Sequence, residues 1–241
     1  MNKGALFPAT RHSVIARIRE ADPEGRRDAF GELISGYWQP VYLHLRVTWR
    51  LAPADAQDLT QGFFSEAFQK GWLERFEPDK ARFRTFVRVC ADRFVMKSRQ
   101  TASRQKRGGG VQLISLDFGD AERHALDAAS AATPDADAFF QQEFVRALFE
   151  RALGAVRREY QASGRSVQFT LFERHDLASE DGVSYASLAA EFGLSTTQVS
   201  NSLAQTRRRF RAHALAALRT LCGSDEEYRR EARDLFGVET R

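Results

Sequence analysis

The sequence predicts an all-α protein made of two small helical domains joined by an acidic linker, with a helix-turn-helix in the C-terminal domain. Apolar residues recur at spacings of three and four in most segments, which is the period of an amphipathic helix. Proline, glycine and acidic residues separate these segments. Residues 184–211 show two helical patterns interrupted by Gly193 at a position typical of a helix C-terminus.

The composition provides enough apolar residues to form hydrophobic cores. Of the 241 residues, 43% are hydrophobic and 19 are phenylalanine, enough for two small domains. No apolar run has membrane-spanning length, and the first residues lack signal-peptide features, so we expect a cytoplasmic protein without membrane contact. Cys90 and Cys222 are far apart, which predicts free thiols and no metal site or cofactor.

Positive charge is concentrated in two blocks. Residues 80–107 contain ten Lys and Arg against one acid, Asp92, and residues 193–223 contain five Arg and no acid. A mostly acidic stretch, residues 117–143, lies between them. Solvated helix faces would explain either block alone, but the pair favours two surfaces on one polyanion.

The N-terminal domain is predicted over residues 10–107. The helical segments are expected at Thr10–Glu20, Arg26–Trp49, Asp55–Phe76 and Arg82–Arg104. Asp22 is placed to cap the second segment with Pro23 in its first turn, and Pro40 is expected to kink or break it. Most phenylalanines of the basic fourth segment are expected in the core.

A linker is predicted over residues 108–134, a C-terminal domain over 135–221 and a tail over 222–241. The linker starts with three glycines and contains the apolar patch VQLISL, for which no partner strand is evident. Further helices are expected at Asp135–Glu159, Ser166–Leu177 and Asp225–Phe236. The tail is expected either to fold back on a basic surface or to form a disordered end.

The helix-turn-helix stretch carries the polar chemistry of DNA recognition. Ser195 and Gln198 form the pattern of a capping box that starts the second helix. Polar side chains on its outward face can bond base edges or phosphates. The expected DNA-binding residues here are Ser195, Thr196, Thr197, Gln198, Asn201, Ser202, Gln205, Arg208 and Arg209. Arg207 is expected to turn toward its own domain.

Three stretches together resemble a bacterial RNA polymerase sigma factor of the small, two-domain extracytoplasmic function (ECF) type. DAQDLTQGFF (Asp55–Phe64) resembles the polymerase-docking helix, and RFRTFVRVCADRFVMKSRQ (Arg82–Gln100) resembles the helices that melt and read the −10 promoter element. SYASLAAEFGLSTTQVSNSLAQTRRRFR resembles the helix-turn-helix that reads the −35 element. The resemblance covers most of residues 11–220 and implies promoter DNA and core RNA polymerase as partners.

The resemblance also implies roles for individual residues. Arg84, Arg88, Lys97 and Arg99 would contact the melted strand, with Lys106 and Arg107 adding non-specific attraction for phosphates. The polymerase-binding residues Asp55, Asp58, Gln61 and Phe64 would meet a basic coiled coil of the clamp of the largest subunit. Gln57 and Gly62 stand where this family usually has carboxylates. Phosphorylation of Thr60 by a Ser/Thr kinase would restore a similar charge, while the alternative is that Thr60 is a plain helix residue.

Three other classes of function stay open from the sequence. A stand-alone helix-turn-helix regulator would bind duplex DNA without polymerase. An enzyme is not expected, because the five histidines are scattered and no glycine-rich phosphate loop follows a strand. A non-DNA adaptor would not need the two basic blocks.

Overall fold

The computed structural model describes residues 13–102, 116–129, 135–178 and 183–239. Within these ranges the chain is all-α and contains no β-strand. Its helices are α1 (Val14–Glu20), α2 (Pro23–Val47), α3 (Pro53–Lys70), α4 (Phe83–Ala102), α5 (Gly119–Ala129), α6 (Ala136–Ala162), α7 (Ser166–Phe172), α8 (Tyr185–Phe192), α9 (Thr196–Leu221) and α10 (Asp225–Phe236). A 3₁₀ turn (Leu73–Arg75) follows α3, and a π-helical turn (Glu173–Leu177) follows α7.

Local sequence signals account for where α2 begins but not for its length. The Asp22 side chain accepts a hydrogen bond from the Gly25 N–H at 2.8 Å, with Pro23 at the first helical position. Of the two expectations for Pro40, a kink or a break, the break is wrong, since α2 runs to Val47 with Pro40 inside it. Pro40 and its neighbours Val41 and Tyr42 are buried, so tertiary packing favours a continuous helix here.

The chain divides into two compact units, and their boundaries differ from the expected domains. Unit 1 comprises the described residues within 1–147 and 218–241, and unit 2 comprises those within 148–217. The first residues of α6 and the last residues of α9 therefore belong to unit 1. The segment expected to be a tail also belongs to unit 1, so this unit is built from two separate parts of the sequence.

The core of unit 1 is rich in aromatic rings. Tyr37 of α2 lies edge-on to Phe83 with ring centroids 5.5 Å apart and stacks on Phe144 at 5.1 Å. Phe76 lies edge-on to Phe83 at 4.9 Å. All four rings are buried. As expected for phenylalanine at helical spacing, Phe83 of the basic helix is a core residue.

Part of the expected linker is an ordered helix of unit 1. Glu122 of α5 accepts hydrogen bonds from the Arg46 guanidinium at 2.6 and 2.8 Å. The Phe118 ring lies 4.9 Å from Tyr42 and 5.3 Å from Trp38, between ring centroids. An acidic linker segment thus gains both a cation partner and an aromatic contact on α2. Lys106, Arg107, the three glycines and VQLISL lie outside the described residues.

The C-terminal helix also packs into unit 1. Glu227 accepts hydrogen bonds from the backbone N–H of Phe83 at 2.5 Å and of Gly223 at 2.9 Å. At Gly223 an added Cβ would lie 2.0 Å from the Phe76 ring, so this close approach requires glycine. Of the two expectations for the tail, a disordered end is wrong for the described residues. The segment folds onto the start of the basic helix α4.

Unit 2 has its own core, to which α6, α7, α8 and α9 contribute. The buried residues of this core are Val156, Tyr160, Phe169, Leu171, Phe172, Leu188, Ala189, Val199 and Leu203. Thr206 adds a buried hydrogen bond from its hydroxyl to the Tyr160 hydroxyl at 3.3 Å. Across the described part of the chain, no helix has both the length and the apolar character needed to cross a bilayer.

Candidate nucleic-acid interface

The turn between α8 and α9 has the local chemistry expected from the sequence. Gly193 takes a left-handed conformation with φ of 64° and ends α8. The Ser195 N–H donates to the Gln198 side chain at 2.8 Å, and the Gln198 N–H donates to the Ser195 hydroxyl at 3.2 Å. This reciprocal pair is the expected capping box, and it fixes the start of α9.

The expected DNA-contacting face of α9 is largely open to solvent. Exposed members of this face are Ser195, Thr196, Thr197, Gln198, Asn201, Gln205 and Arg208, whereas Ser202 and Arg209 are half-buried. Val199, Leu203 and Thr206 face the core of unit 2. The helix is therefore anchored on one side and presents hydroxyl, amide and guanidinium groups on the other.

Carboxylates of unit 2 hold two arginines of α9. Arg207 donates to both oxygens of Asp176 at 2.7 Å, and it turns toward its own unit as expected. Arg209 pairs with Glu159 of α6 at 2.7 Å, and His213 contacts the same carboxylate at 2.8 Å. Burial alone would raise the pKa of Asp176 and of Glu159. The hydrogen bonds from their cationic partners outweigh that effect, and both pKa values are lowered.

Arg84, at the start of α4, is not on a DNA-facing surface. Its side chain is buried and forms an ion pair with Glu231 of α10, which is also buried. The nearby Arg82 pairs with Glu231 at 3.1 Å and with Asp234 at 2.6 Å. The structure thus corrects the expectation for Arg84, because this side chain is part of the packing between α4 and α10.

Arg88 is also held in ion pairs. It donates to Asp92 at 2.6 Å and to Asp137 at 2.6 Å, and little of its side chain is exposed. Asp92 also accepts hydrogen bonds from His44 at 2.7 Å and Trp49 at 2.6 Å. Burial alone would raise the pKa of Asp92, but these hydrogen bonds and the adjacent Arg88 lower it. The one acid of the basic block is therefore the centre of a structural network, which corrects the expected role of Arg88.

The C-terminal half of α4 presents accessible cations. Lys97 is exposed and pairs with Glu66 of α3 at 2.9 Å. Arg99 is exposed and lies over the Trp49 ring, with its Cζ atom 5.0 Å from the ring centroid. Lys97 also borders a cavity of about 290 Å³ between α3 and α4. The cavity is lined by Glu66, Lys70, Trp72, Cys90, Arg93, Phe94 and Lys97.

This cavity combines two aromatic rings with three cationic side chains, of which Lys70 and Lys97 pair with the Glu66 carboxylate that also lines the cavity. The Trp72 and Phe94 ring centroids are 6.2 Å apart. Arg93 is exposed at the rim together with Lys70. Such a site can stack a planar base and attract its phosphate. Sequence reasoning missed Trp72, Lys70 and Arg93 here, although the QKGW run (Gln69–Trp72) carries a cation and an indole at the end of α3.

The residues expected to dock on polymerase divide between surface and core. Asp55 and Asp58 of α3 are exposed and Gln61 is half-buried. Phe64 is buried, and the neighbouring Phe63 lies edge-on to it at a centroid distance of 4.9 Å. The expected docking contact of Phe64 is therefore corrected to a core role, and the two aspartates form the accessible acidic face.

Two residues of α3, Thr60 and Gly62, have structural roles. The Thr60 hydroxyl is fully buried and donates to the Ala56 carbonyl of the preceding turn at 2.7 Å. The expected phosphorylation of Thr60 is corrected accordingly, because a kinase cannot reach this hydroxyl in the folded unit. At Gly62 an added Cβ would lie 3.3 Å from the Phe94 ring, so glycine lets α4 pack closely on α3.

Comparisons with known proteins assign no family to this chain. No family model, curated protein or solved structure matches the chain. The described residues also contain no group of three or more His, Cys, Asp or Glu side chains able to hold a metal ion. The function must therefore be inferred from three surfaces of the chain. These are the polar face of α9, the cationic cavity beside α4 and the acidic face of α3.

Proposed function

We propose that this chain is an alternative sigma factor of the ECF type, acting in the cytoplasm. It binds core RNA polymerase and directs promoter-specific initiation by reading −35 DNA and melting −10 DNA. The observation that carries the proposal is the capped helix α9, whose exposed face holds Gln198, Asn201 and Gln205 without any acid. Such amide side chains can bond adenine edges in a major groove.

The duplex contact follows from the geometry of unit 2. The start of α9 presents backbone N–H groups and the exposed hydroxyls of Thr196 and Thr197, which suit a phosphate at a helix N-terminus. Arg208 is exposed farther along the same helix and suits the DNA backbone. These features support recognition of one face of a duplex by α9.

The melted strand is assigned to the cavity of unit 1. The half-buried Trp72 supplies a ring face for an unstacked base, the buried Phe94 forms part of the cavity wall, and Arg93 and Lys97 supply charge for the phosphates. Arg99 lies on the same half of α4 and extends the cationic surface. Arg84 and Arg88, which are held in ion pairs, are not part of this proposed single-strand contact.

Polymerase docking is assigned to α3. Asp55 and Asp58 are exposed and suit the basic coiled coil of the polymerase clamp that the family resemblance implies. The proposed function does not include control by a kinase at Thr60, because the Thr60 hydroxyl is buried. The proposal requires no catalytic group or cofactor in this chain.

Run-off transcription with core polymerase from the native host, on fragments of its own genome, tests the proposal. We expect specific transcripts with the wild-type chain and none with core polymerase alone. Asn201→Ala should reduce these transcripts, because it removes an exposed amide of α9 that takes no part in the capping box. Ser35→Ala in α2, outside the proposed interfaces, is the matched control. Absence of transcripts with the wild-type chain would contradict the sigma function.

Adding a duplex-binding measurement separates the main alternative. A stand-alone helix-turn-helix regulator would bind one operator sequence tightly and selectively without polymerase and would give no transcripts. The exposed face of α9 suits either function, and the exposed acids of α3 and the cavity beside α4 favour the sigma function.

A further inference from the structure

The three consecutive arginines of α9 have different surroundings. Arg207 forms a bidentate ion pair with Asp176, with both N–O distances 2.7 Å. Arg209 contacts Glu159 through Nε at 2.9 Å and through its terminal nitrogen at 2.7 Å. Arg207 and Arg208 are both exposed and Arg209 is half-buried, but among the described residues none forms an ion pair with Arg208.

The two carboxylates are themselves fixed in place. Asp176 lies in the π-helical turn and is also contacted by His175 at 2.7 Å, while the His175 ring packs 4.9 Å from Tyr185 between centroids. Glu159 lies in α6 and is also contacted by His213 at 2.8 Å. Each carboxylate therefore has a second partner besides its arginine, and hydrogen bonds between a guanidinium and a carboxylate are stronger than those between neutral groups.

This pairing changes the electrostatic character of α9. Successive residues of an α-helix are about 100° apart around its axis, so the three arginines cover a wide sector of the helix. Three unpaired guanidinium groups would attract the phosphates of any sequence. Subtracting the two paired carboxylates from the three arginines leaves a net charge of one on the trio. The sequence-independent attraction of α9 for phosphates is therefore smaller, and contacts to bases make up a larger share of the binding free energy.

We propose that Asp176 and Glu159 are specificity-determining residues of the duplex interface. Each holds one arginine of α9 away from DNA phosphates, so that Arg208 alone of the three contacts the backbone and the amide side chains select the sequence. The inference rests on the proposed duplex binding by unit 2. It assigns a role in recognition to two acids outside the recognition helix.

The test measures how salt weakens binding of the full-length chain to a fluorescein-labelled, mixed-sequence DNA duplex. Each protein–phosphate contact contributes about 0.9 to the slope of log affinity against log salt concentration. Asp176→Asn should release Arg207 and steepen this slope by about 0.9. Between about 50 and about 200 mM salt, its affinity should then fall about threefold more than that of the wild-type chain.

Matched variants separate this effect from a general change of charge. Glu191→Gln makes the same charge change in unit 2 and releases Arg174 of the π-helical turn, and it should leave the slope unchanged. Arg207→Gln should also leave the slope unchanged, because Arg207 does not contact phosphate in the wild-type chain. The double variant Asp176→Asn with Arg207→Gln should return to the wild-type slope.

Each outcome decides the inference. An unchanged slope for Asp176→Asn, or an equal increase for Glu191→Gln, would overturn it while leaving duplex binding intact. A shallower slope for Arg207→Gln would also overturn it, and this variant decides the question if Asp176→Asn does not fold. Absence of duplex binding by every protein at low salt would overturn the proposed duplex interface itself.

Discussion

Arg84 of the basic helix α4 and Glu231 of the C-terminal helix α10 form a buried ion pair within unit 1. Arg84 is 6% exposed and Glu231 is 1% exposed. A residue whose charge predicts contact with DNA is thus neutralised by an acid more than 140 positions later in the sequence. The pair makes the C-terminal helix a structural part of the unit that carries α4.

Removing one partner of this pair should destabilise unit 1 strongly. Glu231→Leu leaves the buried Arg84 guanidinium without a counter-charge, and we expect the free energy of unfolding to fall by about 3–5 kcal/mol. Denaturant unfolding followed by circular dichroism measures the change. Glu77→Leu is the control, because Glu77 and its partner Lys80 are both well exposed, and it should change stability little.

The double variant Arg84→Met with Glu231→Leu completes the comparison. Replacing both charges by apolar side chains removes the unpaired charge, so the loss of stability should be smaller than for Glu231→Leu alone. An equal or larger loss would show that the ion pair is not the source of the effect.

The carboxyl of Glu227 should give unit 1 a pH-dependent stability. Burial raises the pKa of Glu227 and outweighs the hydrogen bonds from the N–H groups of Phe83 and Gly223. Folding therefore favours the protonated form. Its contribution to stability is complete below about pH 4.3, the ordinary value for glutamate, and is lost as pH rises through the raised pKa.

Glu227→Gln tests this pH dependence, because glutamine resembles the protonated carboxyl. The free energy of unfolding, measured over a pH series above about 4.3, should decline less steeply for this variant than for the wild-type chain. Glu226→Gln, at the exposed neighbouring position, controls for the change of charge. Parallel pH curves for Glu227→Gln and the wild-type chain would rule out Glu227 as the group responsible.

Arg93 should matter more than Arg84 for binding single-stranded DNA. Arg93 is exposed at the cavity rim, whereas Arg84 is buried. Arg93→Gln should weaken binding of a labelled single-stranded oligonucleotide and reduce the salt slope by about 0.7, the value for one phosphate contact on a single strand. Fluorescence anisotropy measures both quantities. Arg229→Gln, an exposed arginine of α10, is the control and should leave the slope unchanged.

Thr60→Glu should destabilise the packing of α3 rather than mimic phosphorylation. The new carboxylate would replace a fully buried hydroxyl whose hydrogen bond stays within α3. We expect a large fall in melting temperature for Thr60→Glu and a small one for Thr60→Val, which keeps the shape of the side chain. A Thr60→Glu chain that melts like the wild-type chain would show that the site opens to solvent.

Features set by short-range chemistry could be predicted from the sequence. The Asp22 cap, the left-handed Gly193 and the Ser195–Gln198 capping box each depend on residues within four positions of one another. The structure confirms all three. The apolar period also predicts which side of α9 faces the core, because Val199, Leu203 and Thr206 repeat at helical spacing.

Features set by long-range packing could not be predicted in this way. Nothing near Arg84 in the sequence indicates that Glu231 neutralises it, and nothing near Arg207 indicates Asp176. A run of arginines has the same appearance in the sequence whether its guanidinium groups meet solvent or carboxylates. The sequence around Thr60, with Asp58 and Gln61 close by, likewise favours a surface position, although the Thr60 side chain is buried.

The division of unit 1 between two parts of the sequence also sets an order of events during synthesis. Unit 2 leaves the ribosome before residues 218–239, which supply the buried Leu221, Cys222 and Glu231. A nascent chain can therefore form the core of unit 2 while α4 still lacks its C-terminal partner. Unit 1 is complete only when translation has passed α10, so until then Arg82 and Arg84 at the start of α4 lack their partner Glu231.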